Sequence, residues 1–282
     1  MGATLKALAP TSGFILDRPQ LSFSFDATLT IESTYNIICD TDPSATENVI
    51  VVGAHLDSVP QGPGLDDNAS GSATVLELAI QFSNLGFKST AVNAVRFAWW
   101  AAEEVGLVGS GYYVHQLILA GKQGEVAVYL NYDMLGAPNY VPQIHNPLQA
   151  NDVVPENVRL ASVHVQDLYI QFFNESGLPF TTTGMYGGSD YLPFIESGIP
   201  SGGMATGASN HKSADQREVF GGFAGAAFDP CYHQACDTLA NISPEAIRQC
   251  SGAAAFVLQT LAFESSLQDF IGLNPSTAED EL

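Results

Sequence analysis

Two histidines, His55 and His233, and the carboxylates of Asp57, Asp66, Asp67, Glu103, Glu104 and Asp133 are the residues of this chain best suited to chemistry. Imidazole and carboxylate are the donors zinc takes when thiolate is not offered. Such mixed sets suit catalytic sites, whereas structural zinc mostly takes cysteine in a closed site. The adjacent acids Glu103 and Glu104 repel each other unless a cation sits nearby. A two-metal site resolves that, with one Glu binding metal and the other free as a general base. Asp57, two residues after His55, is placed to accept the second imidazole N–H and fix the tautomer of a ligating histidine. Taken singly, each residue has a plainer account. Glu103 and Glu104 fit an acidic helix start favoured by the helix dipole. Asp66 and Asp67 fit turn chemistry in a glycine-rich stretch, Asp133 fits a helix cap, and a lone histidine is more often a core or surface residue than a ligand.

What joins these residues is their place among the elements. Three short, apolar, β-branched runs read as buried parallel strands, at 48–54, 92–100 and 126–132, with a weaker fourth at 199–206. Helical patterns lie between them: 70–85 with Ser70 as its cap, 108–120, and 158–176 closed by Gly177. A last helix starts at Ser243, with Pro244 at the first helical position and Glu245 in the first turn, and runs to about Glu264. Strands alternating with helices predict an α/β fold with a mostly parallel central sheet and helices on both faces. Ligands of such sheets bind outside the carboxyl ends of the strands. His55, Asp57, Asp66 and Asp67 follow the first strand, Glu103 and Glu104 the second, and Asp133 the third, with His233 between Asp229 and Asp237 much later.

Composition narrows the partners. Formal net charge is −21, from 30 Asp plus Glu against 9 Lys plus Arg. A surface this acidic repels phosphate backbones and anionic lipid, so nucleic acid and membranes are poor partners. No window is long and apolar enough to span a bilayer, and no leader pattern is expected in this sequence. The 282 residues, 46% of them hydrophobic, suffice for one large domain. An atypical segment is expected at 1–34, where 21–31 alternates like a strand, then the main domain at 35–273 and a disordered acidic tail at 274–282. The four cysteines, Cys39, Cys231, Cys236 and Cys250, suit an oxidising compartment, although four free thiols would look the same. A Cys231–Cys236 bridge would staple a tight loop around His233; two buried thiols are the alternative.

Six motifs carry a resemblance. They are Gly-Ala-His-Leu-Asp-Ser at 53–58, Asp-Asp-Asn-Ala-Ser-Gly at 66–71, Trp-Trp-Ala-Ala-Glu-Glu-Val-Gly-Leu-Val-Gly-Ser at 99–110, Tyr-Leu-Asn-Tyr-Asp-Met at 129–134, Gly-Gly-Ser-Asp-Tyr-Leu-Pro-Phe at 187–194, and Tyr-His-Gln-Ala-Cys-Asp-Thr at 232–238. Over about 35–260 the chain resembles the secreted and vacuolar di-zinc aminopeptidases of bacteria and fungi, the leucine aminopeptidase and aminopeptidase Y type. The resemblance implies a zinc-exopeptidase, phosphorylase/hydrolase-like fold holding two Zn2+. It places His55 and Asp133 on one zinc, Glu104 and His233 on the other, and Asp67 between them. Glu103 matches the catalytic base, Asp57 the partner of the first histidine, and Tyr232 a residue that steadies the tetrahedral intermediate. The Cys231–Cys236 disulfide and a cis bond at Asp67–Asn68 are also implied.

The function so implied is hydrolysis of the N-terminal peptide bond of peptides by a secreted or vacuolar monomer. A preference for bulky apolar N-terminal residues is expected, through a pocket of Met134, Met204 and Phe223, residues that ordinary core packing would equally explain. Alternatives are another zinc hydrolase of the same fold, a carboxypeptidase or glutaminyl cyclase, and a non-catalytic degenerate homologue. The full ligand set argues against the single-zinc cyclase and the degenerate homologue. A carboxypeptidase would need a basic residue near the pocket, for which Lys212, Arg217 and Arg248 are the late-chain candidates. The chain departs from the family in two places. Residues 1–34 do not read as the usual leading helices, and 182–188 lacks the Glu and Arg with which some members hold the substrate amine. Asn174 and Asn241 fit glycosylation acceptors; Asn68 also fits but is expected unmodified inside the metal motif.

Overall fold

Alternation along the second strand shows how the layers form. In β2 (Val49–His55), Ile50, Val52 and Ala54 point to one face while Val49 and Val51 point to the other, and all are buried. A strand apolar on both faces needs cover on both. On the first face lie α1 (Gly71–Asn84), α3 (Glu156–Ser176) and α6 (Pro244–Phe263). Val75, Leu78 and Phe82 of α1 and Ala161, Val165 and Phe173 of α3 recur at helical spacing and fill that side. On the second face, α2 (Val108–Leu119) and α4 (Tyr191–Glu196) bring Tyr113, Val114, Leu117 and Phe194 against Val51, Trp100 and Tyr129. Each large apolar side chain so buried contributes about 1.5–3 kcal/mol.

The computed structural model describes residues 32–273 apart from 43, 46, 151 and 152. The remaining strands are β1 (Ile37–Asp40), β3 (Val95–Trp100), β4 (Val126–Tyr132), β5 (Gln143–Asn146), β6 (Thr181–Gly184) and β7 (Ser201–Ala205). Their order in the sheet is β1-β3-β2-β4-β7-β5-β6. The central four, β3, β2, β4 and β7, run parallel; β1 is antiparallel to β3, and β5 is antiparallel to β7 but parallel to β6. The expected mostly parallel sheet with helices on both faces is therefore what forms. Short helices α5 (Ala214–Phe220) and α7 (Leu267–Phe270) are the remaining α-helices among the described residues.

The third strand coincides with its expectation, and the others shift by one to three residues. The last helix starts as read, with Ser243 Oγ accepting the Ala246 N–H at 3.3 Å and Pro244 next. Ser70 differs from its expected role. Its backbone is already helical (φ −63°, ψ −48°), and its hydroxyl donates to the Asp66 carbonyl at 2.6 Å and accepts the Leu135 N–H at 2.9 Å. It ties the helix start to β4 instead of capping it. The strand reading at 21–31 and the acidic tail at 274–282 lie outside the described residues.

Candidate metal centre

Register alone brings the first ligands together. β2 pairs His55 with Trp100 on β3 and Gly53 with Asn131 on β4, so Asp133 lies just past the end of β4 beside His55. Between β2 and α1 the chain makes one wide turn, Leu65–Ser70, that holds Asp67. The Asp237 carboxylate accepts the Asp66 and Asp67 N–H groups at 2.8 and 3.2 Å. Asn68 follows through a cis peptide bond, donating to the Tyr132 carbonyl at 3.0 Å and accepting the Met134 N–H at 3.1 Å. Gly71 is needed here because a Cβ would strike the Tyr132 carbonyl and the Asn68 side chain. After β3, Ala102 turns left-handed (φ 57°) and presents Glu103 and Glu104. Met134 (φ 56°) and His233 (φ 58°) are left-handed too. Such backbone costs about 1–3 kcal/mol per residue and gathers at functional sites.

Asp57 does more than expected. Its carboxylate accepts the Glu103 N–H at 3.0 Å and the Glu104 N–H at 3.2 Å. His55 Nδ1 lies 3.1 Å from the backbone carbonyl of Asp57 and 3.7 Å from its carboxylate. The residue expected to orient the histidine therefore does so mainly with its main chain, while its side chain holds the two glutamates. His233 sits in a loop closed by the expected Cys231–Cys236 disulfide, with Cα atoms 5.3 Å apart, and the Tyr232 ring stacks on it at 3.8 Å. Cys39 is exposed and Cys250 buried, and the two do not pair.

The donor atoms form two groups that share Asp67. His55 Nε2 lies 3.1 Å from Asp67 Oδ1 and 3.2 Å from Asp133 Oδ1. His233 Nε2 lies 3.0 Å from Asp67 Oδ2 and 3.1 Å from Glu104 Oε2. Despite that closeness, His233 Nε2 makes no hydrogen bond, and Glu104 Oε1 is buried without a partner. His55 Nε2 is within hydrogen-bond geometry of Asp133 Oδ1, whereas the donors around His233 are crowded to about 3 Å without being aimed at one another, as donors are that converge on a point between them. Zinc bonds of about 2.0–2.1 Å in a tetrahedral shell give separations of that size. The donor set thus fits a pair of zinc ions, one on His55 and Asp133 and one on Glu104 and His233, with Asp67 reaching both.

Electrostatics agree that the cluster wants a cation. Burial, and then Asp133, push Glu103 up to about 9. Burial and then Asp67 push Glu104 up to about 7, and burial raises Asp67 as well. Burial is the largest influence on His55 and opposes its charge, but Asp133, Asp57 and Asp67 together outweigh it and the imidazole pKa rises well above its usual range. Glu103 takes no part in the two donor groups around Asp67, although its carboxylate also comes within reach of His55 and Glu104, and it lines the same cavity of about 320 Å³ as Tyr232, Met134 and Phe228. Burial holds the Tyr232 phenol well above its ordinary pKa, so it stays a proton donor.

A scan against family models matches residues 36–258 to peptidase family M28. The chain belongs to peptidase family M28. It is 40% identical over 250 residues to an aminopeptidase of Pseudomonas aeruginosa, covering 89% of this chain and 45% of that one. It is 41% identical over 232 residues to leucine aminopeptidase 2 of Trichophyton rubrum, covering 82% and 45%. Among solved structures it superposes on a zinc aminopeptidase from Bacillus subtilis with a TM-score of 0.62 and 27% identity, covering 81% and 50%. The chain spans about half the length of the curated relatives it matches. A glutaminyl cyclase from an Acidobacteriales bacterium, at 16% identity and a TM-score of 0.59, shares the fold alone.

Within this M28 domain, the residues expected at the metals and their neighbours, His55, Asp57, Asp67, Glu103, Glu104, Asp133, Tyr232 and His233, all meet in one place. The expected pocket does not assemble as read. Met134 lines the cavity, but Met204 is fully buried in the main core because it points to the helix-covered face of β7. Phe223 is 75% exposed, and Phe228 stands in the cavity wall instead. Asn241 cannot serve as a glycan acceptor, since its amide is buried and donates to Asp229 Oδ1 at 2.7 Å. Asn68 is likewise buried, and Asn174 is exposed. Sequence reasoning assigned no role to Ser189, whose hydroxyl donates to Asp133 Oδ2 at 2.6 Å, or to Asp237, which frames Asp67. Both stood inside the motifs, but only contacts across the fold reveal their partners.

Proposed function

We propose that the protein is a two-zinc aminopeptidase that removes N-terminal residues from peptides. The observation that carries this reading is the pair of donor groups sharing Asp67, with His233 Nε2 3.0 Å from Asp67 and 3.1 Å from Glu104 and bonded to neither. His55 and Asp133 would hold one ion, Glu104 and His233 the other, and Asp67 both. Bound zinc supplies Lewis-acid polarisation of the scissile carbonyl and activation of water. Glu103 takes a proton from the attacking water and passes it to the leaving amine. Tyr232 donates to the developing oxyanion. Asp57 holds the backbone of both glutamates in register with the histidine.

A carboxypeptidase is less well supported. Among the described residues no Lys or Arg lines the cavity, which leaves a substrate's terminal carboxylate without a cation. Lys212 is buried and donates to the Tyr140 and Gly221 carbonyls, and Arg248 pairs with Glu245 at 2.6 Å. The names of the M28 relatives favour the aminopeptidase. The disulfide supports an oxidising, secreted or vacuolar setting. No helix among the described residues is long and apolar enough to cross a membrane. All the proposed ligands come from one chain, which supports action as a monomer. Met134 and Phe228 keep an apolar component in the pocket's preference for bulky residues.

The test is metal content by mass spectrometry together with leucine p-nitroanilide hydrolysis before and after chelation. About two zinc per chain, and activity lost to chelator and restored by zinc, are expected. Glu103→Gln should keep the metal and lose about 10²–10⁴-fold in kcat. Folded protein that takes up no zinc, or a Glu103→Gln variant of full activity, would sink the reading.

A further inference from the structure

The deep wall of the cavity carries polar groups that the protein itself leaves without partners. β5 enters the sheet between β7 and β6, with Ile144 opposite Met204 and His145 opposite Thr183. Ile144 and Met204 face the core, so Gln143 and His145, one residue to either side of Ile144, face the cavity. Thr183 lines it beside them. His145 is only 5% exposed, packs edge-on to Tyr191 with ring centroids 5.2 Å apart, and has a buried Nδ1 with no hydrogen-bond partner. The side chains of Gln143 and Thr183 make no hydrogen bond among the described residues. Burial pushes the His145 imidazole down to about 4, so the ring is neutral at physiological pH and can accept as well as donate.

An unpaired buried polar atom such as His145 Nδ1 is uncommon and calls for an explanation, and its place in the wall of the cavity, beside the half-buried Gln143 and Thr183, makes a polar ligand group that explanation. An exopeptidase places one residue at the closed end of its cleft and leads the rest of the peptide outward. His145 on β5 is among the buried lining residues, while Tyr186, 68% exposed, marks the solvent side of the cavity. No Lys or Arg among the described lining residues awaits an acidic side chain, and β5 and β6 add no carboxylate for a basic one. We propose that this wall selects an N-terminal residue with a neutral hydrogen-bonding side chain, glutamine above all, through His145 and Gln143. A carboxamide both donates and accepts, which matches an imidazole and an amide facing it, and its methylene stem lies against Met134 and Phe228. The proposal rests on the aminopeptidase reading for the direction of the substrate.

The experiment compares kcat/KM for glutamine, methionine and leucine p-nitroanilides with the zinc-loaded wild type, His145→Phe and Gln143→Leu. Methionine matches glutamine in length without its carboxamide. In His145→Phe the glutamine-to-methionine ratio should fall about tenfold or more, because a site built to hydrogen-bond a group discriminates through it. Gln143→Leu, at a less buried position, should lower the ratio in the same direction. Equal losses on all three substrates, or a ratio unchanged in both variants, overturn the proposal. Calorimetric binding of free glutamine against free methionine separates this proposal from the catalytic one. If no anilide is cleaved, the aminopeptidase reading fails, yet tighter binding of glutamine that His145→Phe abolishes still supports the selective wall. Equal binding of the two amino acids overturns it.

Discussion

His55 and Asp133 stand at the ends of the adjacent strands β2 and β4, and Glu104 follows β3, whereas His233, the other histidine of the pair, is carried by a loop that no strand precedes. His55 is 1% exposed and His233 36%. Behind Asp133 a one-way row of donors runs from Trp100 Nε1 to Tyr129 OH, on to Asn131, and through Ser189 Oγ to Asp133 Oδ2, each step 2.6–2.9 Å. Trp100, Tyr129, Asn131 and Ser189 are buried, and Asp133 at the end of the row is half-buried. Behind His233 stand a six-residue disulfide loop, Cys231 to Cys236, and the Asp229 carboxylate, which accepts the Cys231 N–H at 2.7 Å. One half of the centre is thus held by the core and the other by a clip on the surface. The difference teaches that register gives the first half its geometry almost without dedicated parts, while the second half needs a covalent tie and left-handed backbone at His233 itself.

The sharpest way to break this comparison is to remove one histidine from each half. His55→Ala in chelated protein removes a fully buried ring that faces both Asp67 and Asp133, leaving Asp133 with Ser189 and Asp67 with His233, a loss of about 3 kcal/mol. His233→Ala removes a more exposed ring and should change the stability of the chelated protein by no more than about 1 kcal/mol. Urea unfolding of both variants measures this directly. His233→Ala should also retain about one zinc, held by His55, Asp133 and Asp67. Equal destabilisation by the two substitutions would mean that the halves do not differ in the way described.

Opening the clip tests the second half alone. The Cys231→Ser, Cys236→Ser pair should cost about 2 kcal/mol, since the loop closed is short. Freed of the clip, His233 loses its orientation, and the affinity of its ion should drop by about 10–100-fold, the scale seen when supporting groups of a metal ligand are removed. A zinc titration against a competing chelator would resolve two steps, of which only the weaker should move. A shift in both steps would show that the halves are mechanically joined.

The same division explains what the sequence showed of itself. The sheet-borne donors were legible because long apolar strands announce their carboxyl ends, and His55, Glu103, Glu104 and Asp133 stand at or soon after those ends. His233 stood out as a histidine among carboxylates, but its pairing with Glu104 was legible only through the resemblance, since no periodic element precedes that loop. Strands β1, β5 and β6 escaped notice because each has four residues, too few for alternation to rise above chance. That omission hid the β5 wall, so the pocket was assigned to Met204 and Phe223 instead of Gln143 and His145. Met204 has the right character, but strand parity turns it toward the core. Nothing local to Phe223 distinguishes it from Phe228; the turn through Asn139, which accepts the Phe223 N–H and donates to the Phe223 carbonyl, decides which ring enters the cavity.

The smallest effect concerns the support of the sheet-borne half. Asp190, adjacent to Ser189, is buried, accepts a hydrogen bond from Ser110 with one carboxyl oxygen, and has the other unpartnered. Burial pushes it up to about 7 from an ordinary value of 3.8. In chelated protein the folded state therefore holds this proton up to about pH 7, while the unfolded chain gives it up near 3.8. Between those values the folded state binds more protons, so stability is greatest below the lower value and falls as pH rises toward 7. Across the single unit from pH 6 to 7 the fall attributable to this group is at most about 1 kcal/mol. Asp190→Asn keeps the Ser110 acceptor and removes the titration, so the melting temperature of the chelated variant should decline less over that interval than that of wild type. Identical slopes would mean that Asp190 is already ionised at pH 6, and that the sheet-borne half tolerates a buried charge beneath it as readily as the loop-borne half tolerates one in solvent.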